Sequence, residues 1–136
     1  MVQGSAVGLS PLDGLEAAIA AMTGLDPAKL VAMCHPRALF EIPMLKPSRL
    51  YGRDEIGRGM TAAFADVRNM RFCIERSGVT GNVAIGSGTL SVARRSAADE
   101  QHEIGIVAEI EDAMLARLSL YLNARHRRLW SDPAIL

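Results

Sequence analysis

Hydrophobic and polar positions alternate between two periods along this chain. Leu12, Leu15, Ile19 and Met22 recur at helical spacing. Ser10 stands ready to cap that helix, Pro11 suits its first position, and Asp13 completes a capping-box spacing with Ser10. Gly24 ends it. Asp26-Pro27 repeats the cap-and-proline signal for a short second helix with Leu30, Val31 and Met33 on its apolar side, and His35-Pro36 stops it. Residues 38–44 read as a strand, which Pro43 demotes to an edge or a bulge. A loop over 46–53 leads to a third helix capped by Asp54 and carrying Ile56, Met60 and Phe64 inward; Gly57 and Gly59 leave room for a close approach.

After Asp66 the period changes to two. Met70, Phe72 and Ile74 alternate with Arg71, Cys73 and Glu75, and a turn over 78–82 follows. Residues 83–94 form a long strand in which Gly86, Ser87 and Gly88 signal a bulge or bend. A polar loop over 96–101 precedes Ile104, Ile106, Ala108 and Ile110. A turn at Glu111-Asp112 then leads to Met114, Ala116, Leu118, Leu120 and Leu122, so the last two strands make a hairpin. The order predicts an α+β fold: a curved, mainly antiparallel sheet packed on N-terminal helices, concave at one end where small ligands bind.

A length of 136 residues suits a single domain over 1–136, with a core of about 12–125 and a tail over 126–136. The 49% of apolar residues provide a core, but only 4% are aromatic, so aliphatic side chains must fill it. Lys plus Arg is 15 and Asp plus Glu is 15; this balance argues against a nucleic-acid partner, and the run Arg125-His126-Arg127-Arg128 reads as a solvated terminal segment. Residues 15–25, the longest weakly polar run, fall short of the ~20 apolar residues a spanning helix needs. With no signal-peptide pattern at the start, the expectation is a cytoplasmic protein with no membrane partner. Cys34 and Cys73 both sit in apolar patterns and read as buried, reduced thiols. The three histidines have no ligand-like spacing and no glycine-rich phosphate loop opens a helix, so neither a metal nor another cofactor is expected.

Several phrases, in this order, resemble the nuclear transport factor 2-like (cystatin-like) superfamily, in its ketosteroid isomerase and SnoaL-like branch. They are residues 25–33 (LDPAKLVAM), Phe40-Glu41-Ile42-Pro43, Tyr51-Gly52-Arg53-Asp54-Glu55-Ile56, and the closing hairpin ending Leu120-Tyr121-Leu122-Asn123-Ala124-Arg125. Asn123 stands where the family usually has Asp. The resemblance covers residues 12–125 and implies a cone-shaped fold with an internal cavity, a small apolar molecule inside it, and a homodimer through the sheet.

The family includes isomerases, cyclases, dehydratases, epoxide hydrolases and non-catalytic modules, so site residues must decide function. Isomerase chemistry needs a carboxylate base with Tyr and protonated Asp donors. By the resemblance these positions fall on Ile42, about Ala18 and about Ile106, all apolar here. The acid of the epoxide hydrolase branch falls on Leu120, and no acid follows Arg94 and Arg95 at the right spacing. For acid–base work the remaining candidates are His102, on the face of Ile104 and Ile106, and His35, with Glu41 or Glu103 as partner carboxylates. Arg117, Ser119 and Tyr121 share a strand face that either borders the cavity or meets solvent or a second copy. Trp130 closes the cavity mouth or anchors the tail on a partner subunit. The catalytic candidates are thus His102, Tyr121, Arg117 and Glu41, with Phe40, Ile42, Ile104, Ile106 and Ser119 as the expected pocket lining. Two functions follow: a small-molecule-binding domain of the SnoaL-like kind, with or without isomerase, cyclase or dehydratase activity, or a non-catalytic dimeric binding or assembly module.

Overall fold

The computed structural model describes residues 9–122. Helix α1 spans Pro11–Thr23, and Ser10 caps it as expected: its Oγ accepts the Asp13 backbone N–H at 3.2 Å. Gly24 closes the helix in an ordinary right-handed conformation, and the left-handed step falls on Leu25 (φ 53°). Asp26 caps α2, Pro27–Met33, through a 3.1 Å bond from the Lys29 N–H. The chain passes straight from α2 into strand β1, Cys34–Glu41, which therefore starts and ends a few residues earlier than expected and leaves Pro43 outside it.

The segment read as a loop contains a short edge strand, β2, Arg49–Tyr51, paired antiparallel with β1. Three residues are too few for a period to show. Helix α3, Gly52–Phe64, is capped at Tyr51 rather than at Asp54: Gly52 turns the chain with φ 84°, and the Glu55 carboxylate reaches back to accept the Tyr51 N–H at 2.8 Å. The close approach expected on this helix is met at Gly59, where a Cβ would stand 2.6 Å from the Leu50 side chain.

Four strands complete the sheet: β3, Val67–Thr80; β4, Val83–Arg94; β5, Glu100–Glu111; and β6, Met114–Leu122. The order is β2-β1-β6-β5-β4-β3, antiparallel throughout except for the parallel β1–β6 pair. Strand β5 begins inside what the sequence reads as a polar loop. The β5–β6 hairpin turns on Asp112 and Ala113, both at positive φ, one residue later than expected. The bend signalled by Gly86–Gly88 lies in the partner strand. The register of β3 slips between Ile74 and Arg76 opposite Gly88, and a Cβ on Gly88 would overlap the Cys73 carbonyl.

Helix α1 packs on β3, β4 and β5, α3 packs on β1 and β2, and α2 packs on α3. The core between the helices and the sheet contains Leu15, Leu30, Phe40, Ile56, Ile106 and Leu118, each at most 2% exposed. Toward one end α1 approaches β5 closely: a Cβ on Gly14 would stand 2.5 Å from the Ile110 side chain. Cys34 is buried as expected, and its Sγ donates to the Leu30 carbonyl; Cys73 is exposed, because a residue between Phe72 and Ile74 faces the other side of a strand. Among the described residues no helix is long and apolar enough to cross a membrane.

Candidate functional site

At the other end the cone stays open. An apolar cavity lies between the C-terminal turns of α1 and α3, the segment after β1, the starts of β3 and β5 and the ends of β4 and β6. Four methionines line it: Met22, Met44, Met60 and Met70. Phe64, Phe72, Ile42 and Leu120 add to the wall. Its free volume is about 50 Å³, far below the ~300–1,000 Å³ of an ordinary small-molecule pocket. The methionine side chains on this wall are unbranched and polarizable, and such groups repack around different occupants.

Two charged residues stand on this otherwise apolar lining, Arg94 and Glu100. Strand register places them. Glu100 pairs with Val92 and His102 with Leu90, and Val92 and Leu90 belong to the buried inward row of β4. Glu100 and His102, two residues apart, therefore share the inward face. Arg94 Nε donates to Glu100 Oε2 at 2.6 Å, and His102 Nε2 lies 3.0 Å from Glu100 Oε1. Hydrogen bonds from Arg94 and then from His102 hold the Glu100 carboxyl below its ordinary range, against the opposing effect of burial. All three side chains are about one-quarter to one-third exposed, as a cavity rim requires. When His102 is neutral and donates from Nε2, its Nδ1 keeps the lone pair, which is the tautomer of a base. The guanidinium carries further donors at Nη that suit a carbonyl or carboxylate oxygen.

His102 is a candidate from sequence, but Glu41 and Glu103, the partners expected for it, are not the carboxylate it meets. Glu103 is one residue away along a strand and so points to the other face. Glu100 carried the signal of period two, hidden by its assignment to a loop. Of the expected lining, Ile42 borders this cavity; Phe40, Ile104 and Ile106 are buried deeper in the core. Ser119 does not line it. Leu118 and Leu120 point inward, so Arg117, Ser119 and Tyr121 occupy the opposite face of the sheet.

On that outer face Glu41 forms a second polar cluster. Its Oε1 accepts Arg117 Nη2 at 2.6 Å, Arg117 Nε at 3.1 Å and Ser119 Oγ at 2.8 Å, and its Oε2 meets Arg49 Nε at 3.4 Å. The hydrogen bonds from Arg117 and Ser119 draw the Glu41 carboxyl down, and Glu41 in turn raises Arg117. Each donor is held by the same acceptor, and Ser119 is 1% exposed, so the cluster ties β2, β1 and β6 together. Tyr121 stands on this face too, opposite Gly105. Four sequence candidates thus divide: His102 faces the cavity side, while Glu41, Arg117 and Tyr121 lie across the sheet from it.

His35 lies at the start of β1, where the β5–β6 turn brings Glu111 and Asp112 to it, with ligand-type atoms of the three within 4.8 Å of one another. Sequence spacing could not show this grouping. The Arg37 N–H donates to His35 Nδ1 at 3.1 Å, which leaves the ring proton on Nε2, facing Asp112 Oδ2 at 3.3 Å. That arrangement is a hydrogen bond from a neutral imidazole to a carboxylate, with the Nδ1 lone pair already engaged. Asn123, the run over 125–128 and Trp130 lie outside the described residues.

Residues 15–118 match the model of the SnoaL-like domain. Among solved structures, a putative SnoaL-like polyketide cyclase from Shewanella denitrificans superposes with a TM-score of 0.73 at 14% identity, covering 90% of this chain and 98% of that one. A hypothetical protein with a ketosteroid isomerase-like fold from Catenulispora acidiphila, in complex with trimethylamine, gives 0.72 at 15% identity over 83% and 86%. An LEH-like epoxide hydrolase from M. tuberculosis gives 0.69 at 18% identity over 82% and 81%. No curated protein matches the sequence.

Proposed function

The chain belongs to the SnoaL-like domain family, and from that premise we propose that it binds a small, mainly apolar molecule in the methionine-lined cavity and holds that molecule's polar end at Arg94, Glu100 and His102. One observation carries the reading: the two charged residues on an otherwise apolar lining are hydrogen-bonded to each other at one end of it. A ligand enters by displacing methionine side chains, and its oxygen takes donors from Arg94. The Glu100–His102 pair supplies an acid–base couple beside that oxygen, which is the equipment of proton-transfer chemistry of the isomerase or dehydratase type. The titration of 2-octanone by calorimetry tests this. Wild type binds it, and Arg94→Met binds it about 10-fold or more weakly, as expected for loss of a charge-assisted hydrogen bond worth ~1.5–3 kcal/mol. Equal affinity in the two proteins would refute the role of Arg94, and no binding by wild type would refute the site.

A second reading, homodimerisation through the sheet, is favoured by the outer face. The helices cover the inner one, whereas Ile85 and Val107 pair directly on the outer one and stay half-buried. Sedimentation at micromolar concentration tests it: a dimer that Val107→Lys dissociates is expected, and a wild-type monomer would refute it.

A further inference from the structure

The methionine-lined cavity is too small to be a whole site. Its free volume of about 50 Å³ is less than twice the ~30 Å³ share of one water molecule. A second cleft, of about 370 Å³, lies against it between the segment after β1 and α3. Met44, Leu45, Ala63 and Arg94 line both, so the two spaces share a wall and Arg94 stands at their junction. A molecule with an oxygen at Arg94 can therefore reach into the cavity on one side and the cleft on the other.

Met44, Leu45, Pro47, Leu50 and Ala62 make most of the cleft wall apolar, and three charged residues complete it: Lys46, Asp66 and Arg94. Two of the three are already engaged. Asp66 Oδ1 accepts the Ser96 N–H at 3.1 Å and its Oδ2 accepts the Ser96 hydroxyl at 2.8 Å. Arg94 Nε donates to Glu100 at 2.6 Å. Lys46 is exposed and has no hydrogen bond or ion pair among the described residues. Its place in the chain is nonetheless fixed. The Leu45 N–H donates to the Ile42 carbonyl at 3.0 Å, and the Ile42 N–H donates to the Ser48 carbonyl at 2.8 Å, so the turn that carries Lys46 is closed by backbone bonds. An unpartnered ammonium on an apolar cleft suits an anion. The Arg94 guanidinium already has the Glu100 carboxylate as counter-charge. It therefore suits a neutral oxygen better than a second carboxylate, which Glu100 would repel.

We propose that the cleft is the outer half of the site and that the ligand is an oxo acid with an alkyl tail. The tail enters the cavity, the neutral carbonyl oxygen meets Arg94 at the junction, and the anionic end lies in the cleft at Lys46. This assignment rests on the ligand reading above and adds the second polar group to it. Calorimetric titration with 4-oxodecanoate and with its uncharged methyl ester tests it; both carry the hexyl ketone of 2-octanone. Wild type is expected to bind the acid about 3- to 5-fold more tightly than the ester, the size of an exposed ion pair. Lys46→Glu, with an unchanged circular dichroism spectrum, is expected to reverse that preference and to hold the ester within about 2-fold of wild type. Lys29→Glu makes the same charge change outside the cleft and is expected to keep the preference for the acid. Equal binding of acid and ester by wild type, a preference that survives Lys46→Glu, or an equal loss in Lys29→Glu would each overturn the proposal. With 2-octanone still bound, any of these results removes the cleft assignment alone. Failure of 2-octanone and of both oxo compounds to bind would remove the site itself and the proposal with it.

Discussion

Met60→Ala tests the packing of the cavity wall most sharply. Met60 is 3% exposed on α3 and lines the cavity beside Met22 and Phe64. The substitution removes Cγ, Sδ and Cε from a buried position. At about 0.8 kcal/mol per buried methylene-sized group, the lost transfer free energy is about 2.4 kcal/mol. If the freed space stays empty, a further ~50 Å³ of void at about 24 cal/mol per Å³ adds about 1.2 kcal/mol. The sum, about 3.6 kcal/mol, sits inside the ~2–5 kcal/mol range for such truncations. Urea unfolding followed by circular dichroism should show the midpoint falling in proportion with the m-value unchanged. The enlarged void should also take up xenon, as engineered apolar cavities do, so xenon pressure should raise the melting temperature of the variant more than that of wild type. A loss under about 1 kcal/mol would mean that the wall collapses or that Met60 is not packed as described. Equal xenon stabilisation of both proteins would refute the enlargement.

Gly88→Ala should destabilise by about 1–3 kcal/mol or more, since the new methyl meets the Cys73 and Ile74 backbone, which cannot swing aside; Gly78→Ala, with nothing within 4 Å, should be close to neutral in the same melts. Both Glu41 and Glu100 have carboxyls drawn below their unfolded values, so their contributions are present above the ordinary carboxylate range and vanish as pH falls through the folded values. Acid unfolding curves of Glu41→Gln and Glu100→Gln should accordingly have a flatter acid limb than wild type, and a steeper one would contradict the assignment. With a maleimide at neutral pH, exposed Cys73 should react promptly. Cys34, whose thiol burial pushes up to about 11, should react only on unfolding; rapid labelling of two thiols would refute its burial.

Much of this arrangement was legible in the sequence, because each legible element carried its own local chemistry. Ser10 and Asp26 announced α1 and α2 by caps that the backbone uses, and the alternation Leu118, Leu120, Leu122 marked β6 as a strand. Strand β2 was not legible, because three residues joined to a glycine turn hold no period. The cap at Tyr51 depends on a backward reach by Glu55 that competes with the plain signal of Asp54. Arg117, Ser119 and Tyr121 shared a face as expected, but which face met the cavity depended on how the leucines between them packed. The partnership of Glu100 with His102 was within reach of a period-two count and was missed because strand β5 starts inside a polar stretch. The cavity volume was out of reach altogether, since it depends on the rotamers of four methionines brought together from α1, α3, β3 and the segment after β1.

Those methionines also provide the most direct test of ligand entry. The chain has seven, of which Met22, Met44, Met60 and Met70 line the cavity while Met33 and Met114 do not. In a spectrum of the protein labelled with ¹³C at the methionine methyls, titration with 2-octanone should shift the resonances of Met22, Met44, Met60 and Met70 and leave those of Met33 and Met114 in place. Unmoved cavity methionines, or equal shifts at all of the assigned positions, would contradict a ligand site at the open end of the cone.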